Sequence, residues 1–244
     1  MGGLITAVGF AAGIITAISL RTFFNIFISE SLISVLAALP LMALKEGYSF
    51  INIPFIGLIN CGICYSLVLV PLGITGAANA ANMLAGFNGL EAGMGIVIVV
   101  SLSIIAYLIG EMTALIILLA ALGALLATIY YNWYPAKIFI GDIGTLSIGA
   151  IIATAIIEGG FESAGVIIVI PYAVDFLIKA KNKFPARNWW GTYKDGKLYC
   201  PDNGPVGLCQ LIMKVCGGIS ERNLVLVLMS IEAIFGVAVI LLYI

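Results

Sequence analysis

Apolar residues in this chain come in runs of about twenty, broken by short polar clusters rather than alternating with polar positions. A hydrocarbon core about 30 Å thick is crossed by about 20 apolar residues in a helix. Eight stretches reach that scale, at about 2–20, 24–44, 53–73, 92–109, 112–130, 143–158, 162–178 and 223–243. A spanning barrel would instead show short alternating segments, which this chain does not sustain. The expected fold is therefore all-α, a polytopic integral membrane helix bundle with about eight transmembrane helices. No linker, heptad or repeat divides it, so residues 1–244 are read as one domain, with 179–222 as its one sizeable polar loop.

Composition strengthens this picture. Aliphatic, aromatic and cysteine residues make up 62% of the 244 positions and charged residues only 9%, against about one-quarter charged in a soluble domain. Mean hydropathy is +1.18. The first apolar stretch lacks the charged start and small-residue cleavage site of a secretory signal, so it is read as a span.

The net charge of −1 matters less than its distribution. With eight crossings, Arg21, Lys137, Lys179, Lys181, Lys183, Arg187, Lys194, Lys197, Lys214 and Arg222 share one side, and only Lys45 falls on the other. The positive-inside bias makes the first side cytoplasmic. Nearly all candidate chemistry lies there. The loop 179–222 also carries Trp189, Trp190 and Tyr193, which suit either an interfacial belt or a lid over a phosphate-bearing substrate.

The stretch Asn79–Gly93, "NAANMLAGFNGLEAG", sets three asparagines and a glutamate among apolar runs. In a helical register Asn79, Asn82, Gly86 and Gly93 share a face, where amides hydrogen-bonding between helices would contribute roughly 0.6–2 kcal/mol each. Asn88-Gly89 is a turn dipeptide expected to end that helix. Asp142, after Phe139-Ile140-Gly141, could cap the next helix. The same carboxylate, with the Asn82 and Asn88 carbonyls, could instead hold Mg²⁺, which takes one or two protein oxygens plus phosphates and water.

The chain has no histidine, which removes the usual neutral-pH base and the usual zinc ligand. A phosphate monoester brings its own nucleophile, being mostly dianionic at neutral pH with a second pKa of about 6. Cys61 and Cys64 form a C-x-x-C read as packing residues inside an apolar helix, and Cys200, Cys209 and Cys216 make a poor zinc set. Glu158 and Glu162 are read as solvated at the outer loop, and no ionisable residue is placed near a midplane. No P-loop is present.

Three stretches together, "NAANMLAGFNGLEAG", "NWYPAKIFIGD" (Asn132–Asp142) and "IMKVCGGISERNLVLVL" (Ile212–Leu228), resemble the polyprenyl-phosphate N-acetylhexosamine-1-phosphate transferases, glycosyltransferase family 4. The similarity is greatest to the archaeal and eukaryotic branch that uses dolichyl phosphate and UDP-GlcNAc. "PYAVDFL" (Pro171–Leu177) and "DGKLYCP" (Asp195–Pro201) extend it. The resemblance implies transfer of GlcNAc-1-phosphate from UDP-GlcNAc to a polyprenyl (dolichyl) phosphate, releasing UMP, with Mg²⁺ (or Mn²⁺) at the cytoplasmic face. It implies Asn82 and Asp142 as metal ligands and catalytic residues together with Arg187. Asn88 and Phe139 would line the uridine pocket, and Asn79 and Lys137 would assist substrate binding. The expected partners are both substrates and membrane lipid, with pairing into a homodimer left open and no nucleic acid. The membrane would be a plasma membrane in a prokaryote or the endoplasmic reticulum in a eukaryote.

One departure stands out. The family's Asp-Asp-x-x-Asp/Asn motif has no counterpart, since no aspartate precedes Asp142 and the only charges in "RTFFNIFISES" (Arg21–Ser31) are Arg21 and Glu30. The family has ten helices against eight counted here. The expectation is a truncated, internally deleted or diverged member that binds metal and nucleotide weakly and turns over poorly. The alternatives are a non-catalytic scaffold of glycosylation enzymes and a small transporter. Against transport stands the clustering of polar groups at one face, away from a midplane site.

Overall fold

The computed structural model describes Met42 and residues 50–53, 57–184 and 189–244. An antiparallel hairpin comes first, β1 (Phe50–Ile53) against β2 (Gly57–Asn60), with Phe50 paired to Asn60. A π-helical turn, Tyr65–Leu69, leads directly into α1 (Val70–Leu84). The span therefore runs Tyr65–Leu84, later than the 53–73 expected from hydropathy. Helix continues past residue 73 because Ala77, Ala78, Ala80 and Ala81 are strong helix formers. The Asn79 amide meanwhile satisfies itself on its own helix, donating to the Thr75 carbonyl at 2.8 Å. Cys61 sits in the turn before this span and Cys64 at its helical start, rather than within its length, and all five cysteines are free thiols.

The break after α1 comes where the backbone leaves right-handed space. Ala85 is extended, and Gly86 (φ 122°) and Gly89 (φ 80°) are left-handed, which glycine alone adopts without a steric cost. The helical face expected to join Asn79, Asn82, Gly86 and Gly93 thus ends at Leu84. Gly93 belongs to α2 (Leu90–Ile109), where it faces the Met229 side chain. The chain then returns along α3 (Met112–Asn132) and runs out again along α4 (Gly141–Gly159).

The seventh apolar stretch is not one straight helix. It is split into α5 (Glu162–Ile168) and α6 (Ile170–Lys181), bent by 52° at Val169. Pro171 explains the break, because its ring lacks an N–H and crowds the carbonyl four residues back. The long polar loop contains the hairpin β3 (Thr192–Lys194) and β4 (Lys197–Tyr199) and the amphipathic α7 (Leu208–Val215). Then α8 (Glu221–Leu242), capped by Ser220 accepting from the Asn223 N–H, crosses last. Among the described residues five helices are long and apolar enough to cross a membrane, or six if α5 and α6 form one broken span. Apart from Met42, the expected spans at 2–20 and 24–44 lie outside the described residues.

The bundle is organised around α2, whose buried face runs from Leu90 to Ala106 and packs against α3, α4 and α8. Its Ser101 and Ser103 hydroxyls donate to carbonyls one turn back, at 2.9 and 2.7 Å, so they cost little in an apolar interior. Helices in lipid associate through close packing of small residues. The tightest instance joins α1 to α4, where a Cβ on Gly149 would stand 2.2 Å from the Ala77 carbonyl oxygen.

Two expectations about acidic residues are corrected here. Glu162 is not solvated: it is partly buried and accepts a hydrogen bond from the Tyr65 hydroxyl at the start of the first described span. Glu232 lies midway along α8 with no exposed surface, and neither carboxylate oxygen has a hydrogen-bond partner among the described residues. An ionisable residue therefore does sit near a midplane. It lines neither the polar cleft described below nor the larger apolar cavity.

Candidate active site

The connections 85–89, 133–140 and the described parts of the long loop, 182–184 and 189–220, all emerge at one end of the bundle, opposite those at 110–111 and 160–161. Between them opens a cleft of about 450 Å³, within the size range of small-molecule sites. Its walls include Asn82, Gly86, Glu91, Phe139, Asp142 and Lys179.

Helix α1 contributes Asn82 from its last turn, and α4 contributes Asp142 from its first. Thr145, one turn after Asp142 and 2% exposed, joins them. Its hydroxyl lies 2.6 Å from Asn82 Oδ1 and 3.1 Å from the Asp142 carbonyl. Asp142 does not cap α4: the N-cap is Ile140, without a side-chain bond. Being inside the first turn, the exposed carboxylate interacts favourably with the helix dipole yet stays free of any described partner. Phe139, 60% exposed, stands at the mouth.

The other asparagines do different work. Asn88 lines no part of the cleft. Its N–H and Nδ2 both donate to Glu221 Oε1, at 2.8 and 2.5 Å, and its Oδ1 accepts from the Ala136 N–H at 2.9 Å. It thus ties the α1–α2 turn to the start of α8 and to the loop that carries Phe139. Asn132, not singled out in the sequence, repeats this pattern. It is 1% exposed, accepts from the Gly89 N–H at 3.1 Å and donates to the Ile138 carbonyl at 2.9 Å. Asn79 faces away from the cleft lining, bound to Thr75. Lys137 is exposed beside Tyr130, 5.9 Å from the ring centroid, and is also outside the lining. Arg187 lies outside the described residues.

Thr145, Glu91 and Lys179 line the cleft and were given no site role by sequence reasoning, which did name Trp189 as belt or lid. Glu91 accepts from the Gly86 N–H at 2.5 Å through Oε1, while its buried Oε2 has no partner. Its place in the "NGLEAG" run was visible, but the fold-back of residues 85–89 that brings it to the cleft was not. Lys179 reaches the cleft from α6. Trp189 closes one wall, its ring against Gly86 and edge-on to Phe87 at 5.8 Å. Of the three loop aromatics Trp189 lies in the cleft wall, while Trp190 and Tyr193 are exposed at 49% and 72%.

A second cavity of about 370 Å³ between α1, α4 and α5 is almost wholly aliphatic, with Tyr65, Glu162 and Tyr172 at its polar margin. It offers no convergent polar groups for a nucleotide.

The donor chemistry of the polar cleft suits a hard divalent cation bound through few protein oxygens. No group of three or more Asp, Glu, His or Cys residues able to hold a metal occurs among the described residues. Asn82 and Asp142 supply one amide and one carboxylate, the set expected for Mg²⁺ that keeps waters and substrate phosphates.

Comparison with known proteins agrees with this architecture. The sequence model of glycosyl transferase family 4 matches residues 4–160. The chain is 38% identical over 226 residues to a protein of Saccharolobus solfataricus provisionally named UDP-N-acetylglucosamine–dolichyl-phosphate N-acetylglucosaminephosphotransferase, covering 92% of this chain and 67% of that one. It is 33% identical over 211 residues to a protein of the same provisional name from Sulfolobus acidocaldarius, covering 86% and 64%. It is also 35% identical over 128 residues to a phospho-N-acetylmuramoyl-pentapeptide-transferase of Clostridium perfringens, covering 52% and 40%. The chain spans about two thirds of the length of the two archaeal relatives. A bundle of membrane-length helices, a cleft at one end and a match over more than half the chain together make this protein a member of glycosyl transferase family 4.

Proposed function

We propose that the chain transfers N-acetylglucosamine 1-phosphate from UDP-GlcNAc to a polyprenyl phosphate of the dolichyl type, releasing UMP at the cytoplasmic face of the membrane. The observation that carries this reading is the convergence on one cleft of Asn82, from the end of α1, with Phe139 and Asp142, from the stretch that opens α4. The names of the archaeal relatives support the choice of substrates.

In the reaction an oxygen of the lipid phosphate forms a bond to the sugar-bearing phosphorus, and the bond from that phosphorus to the UMP oxygen breaks. No proton need move, because the lipid phosphate is already largely dianionic. Catalysis is then mostly positioning and charge neutralisation. Mg²⁺ bound by Asn82 and Asp142 would neutralise the diphosphate and the charge developing on UMP. Turning the Asn82 amide by 180° would let Nδ2 donate to Thr145 Oγ1 while Oδ1 faces the cleft. The Thr145 hydroxyl would then donate to the Asp142 carbonyl, so Thr145 holds both ligand-bearing residues. Phe139 offers an exposed ring for stacking against a uracil face, and Trp189 limits water entry. The positive-inside distribution supports the cytoplasmic assignment: the connections at the cleft end hold Lys137, Lys183, Lys194, Lys197 and Lys214. The described residues would supply the donor side of this chemistry.

Titrating UDP-GlcNAc into detergent-purified protein with and without Mg²⁺ tests the reading. Binding is expected to need Mg²⁺ and to be lost in Asp142→Asn and Asn82→Ala. Removing one such charge-stabilising group costs about 10²–10³ in the rate of lipid-linked GlcNAc formation. Equal heats with and without the metal would refute it.

A further inference from the structure

The cleft presents two carboxylates, Glu91 and Asp142, to a substrate that itself carries a diphosphate. Lys179 is the one cation among the described lining residues, and its setting is unusual for a surface lysine. Its Nζ lies 2.7 Å from Asp175 Oδ2, one turn earlier on α6, and donates to the Met83 carbonyl in the last turn of α1. Asp175 is 2% exposed, and its other oxygen accepts the Leu208 N–H at 2.7 Å, where α7 begins. The ammonium is thus gripped from two sides while its side chain keeps 18% of its surface exposed. The Met83 carbonyl takes one of its three protons and Asp175 holds it as an ion pair, so the ammonium keeps donor capacity for a ligand.

Stability alone is a weak reason for this arrangement, since desolvating an ion pair offsets much of its attraction. A fixed, partly open cation beside Asn82 does have a chemical use. We propose that Lys179 is the protein's own cation for the phosphate chain of the nucleotide, and that Asp175 is its positioning residue, locking the ammonium between α1, α6 and α7. This rests on the donor-site reading given above. The sequence had suggested Lys137, which lies outside the cleft lining, for substrate binding, and not Lys179.

The test compares binding of UDP, UMP and uridine to the full chain in detergent with Mg²⁺, for wild type, Lys179→Met, Asp175→Asn and the double variant. Charge-assisted hydrogen bonds are strong enough that Lys179→Met should weaken UDP binding by about ten- to hundred-fold while uridine binding stays unchanged. Asp175→Asn, which leaves the ammonium present but loosely held, should weaken UDP binding several-fold and uridine not at all. Lys179→Met alone leaves Asp175 buried without its partner. The double variant removes both charges and should recover the melting temperature without recovering UDP affinity. Wild-type UDP affinity in Lys179→Met or in the double variant overturns the role of Lys179, as does an equal loss of uridine binding. If wild type binds neither UDP nor UDP-GlcNAc, the donor-site reading and this inference fall together.

Discussion

Replacing Gly149 by alanine probes the contact that sets the width of the site. Helices α1 and α4 carry Asn82 and Asp142, and they cross at Gly149. An added Cβ would stand 2.2 Å from the Ala77 oxygen, 2.6 Å from the Ala77 carbonyl carbon and 2.7 Å from Ala78 Cα. All three are backbone atoms, so no side-chain rotation can relieve the clash. Reaching an ordinary contact of 3.4 Å from the carbonyl oxygen requires the helices to part by about 1.2 Å. Overpacking of this kind costs about 1–3 kcal/mol, and the backbone partners put Gly149→Ala at the upper end. A displacement of about 1 Å at a reacting centre costs about 10²-fold in rate. We expect a clear drop in melting temperature in detergent, weaker Mg²⁺-dependent binding of UDP-GlcNAc and a loss of transfer near that factor. Gly123→Ala in α3, where a Cβ meets nothing within 4 Å, is the control and should melt at or above wild type. If Gly149→Ala matches wild type in melting and binding, the close crossing does not set the site.

Asn132→Leu leaves the Gly89 N–H and the Ile138 carbonyl without their partner; the expected loss is about 1–3 kcal/mol per unsatisfied buried group, read by thermal unfolding. Gly86→Ala meets both a Trp189 ring carbon at 2.1 Å and a φ of 122°; adding Trp189→Leu should recover the steric part but not the backbone strain of about 1–3 kcal/mol, and full recovery would refute the strain. Burial first, and the nearby Asp175 charge second, push the Cys209 thiol from 9.0 up to about 12. At pH 8 it should resist maleimide while exposed Cys216 reacts, as peptide mass spectrometry would show. The raised value also has a consequence for stability. Between pH 9 and 12 the unfolded chain ionises this thiol while the folded chain keeps it protonated, so the contribution present below pH 9 is lost as pH rises. Cys209→Ala should flatten that part of the pH–stability curve.

The run lengths of apolar residues alone determined that this is a helical membrane protein, because a span must satisfy its own backbone and match the bilayer thickness. The same reasoning located the turn at Asn88-Gly89, and motif resemblance selected Asn82, Phe139 and Asp142, which the fold then brought to one cleft. Hydropathy misplaced the third span because it scores Asn79 and Asn82 as polar without knowing that one amide bonds within its helix and the other meets Thr145 across a helix pair. It likewise could not show that the seventh stretch would bend by 52° just before Pro171, or that Glu162 would meet Tyr65. Which asparagine lines the cleft and which one fastens loops depends on partners 43 to 133 residues away. Local sequence carries no record of such pairings, so only tertiary contact separates Asn82 from Asn88, and Lys179 from Lys137.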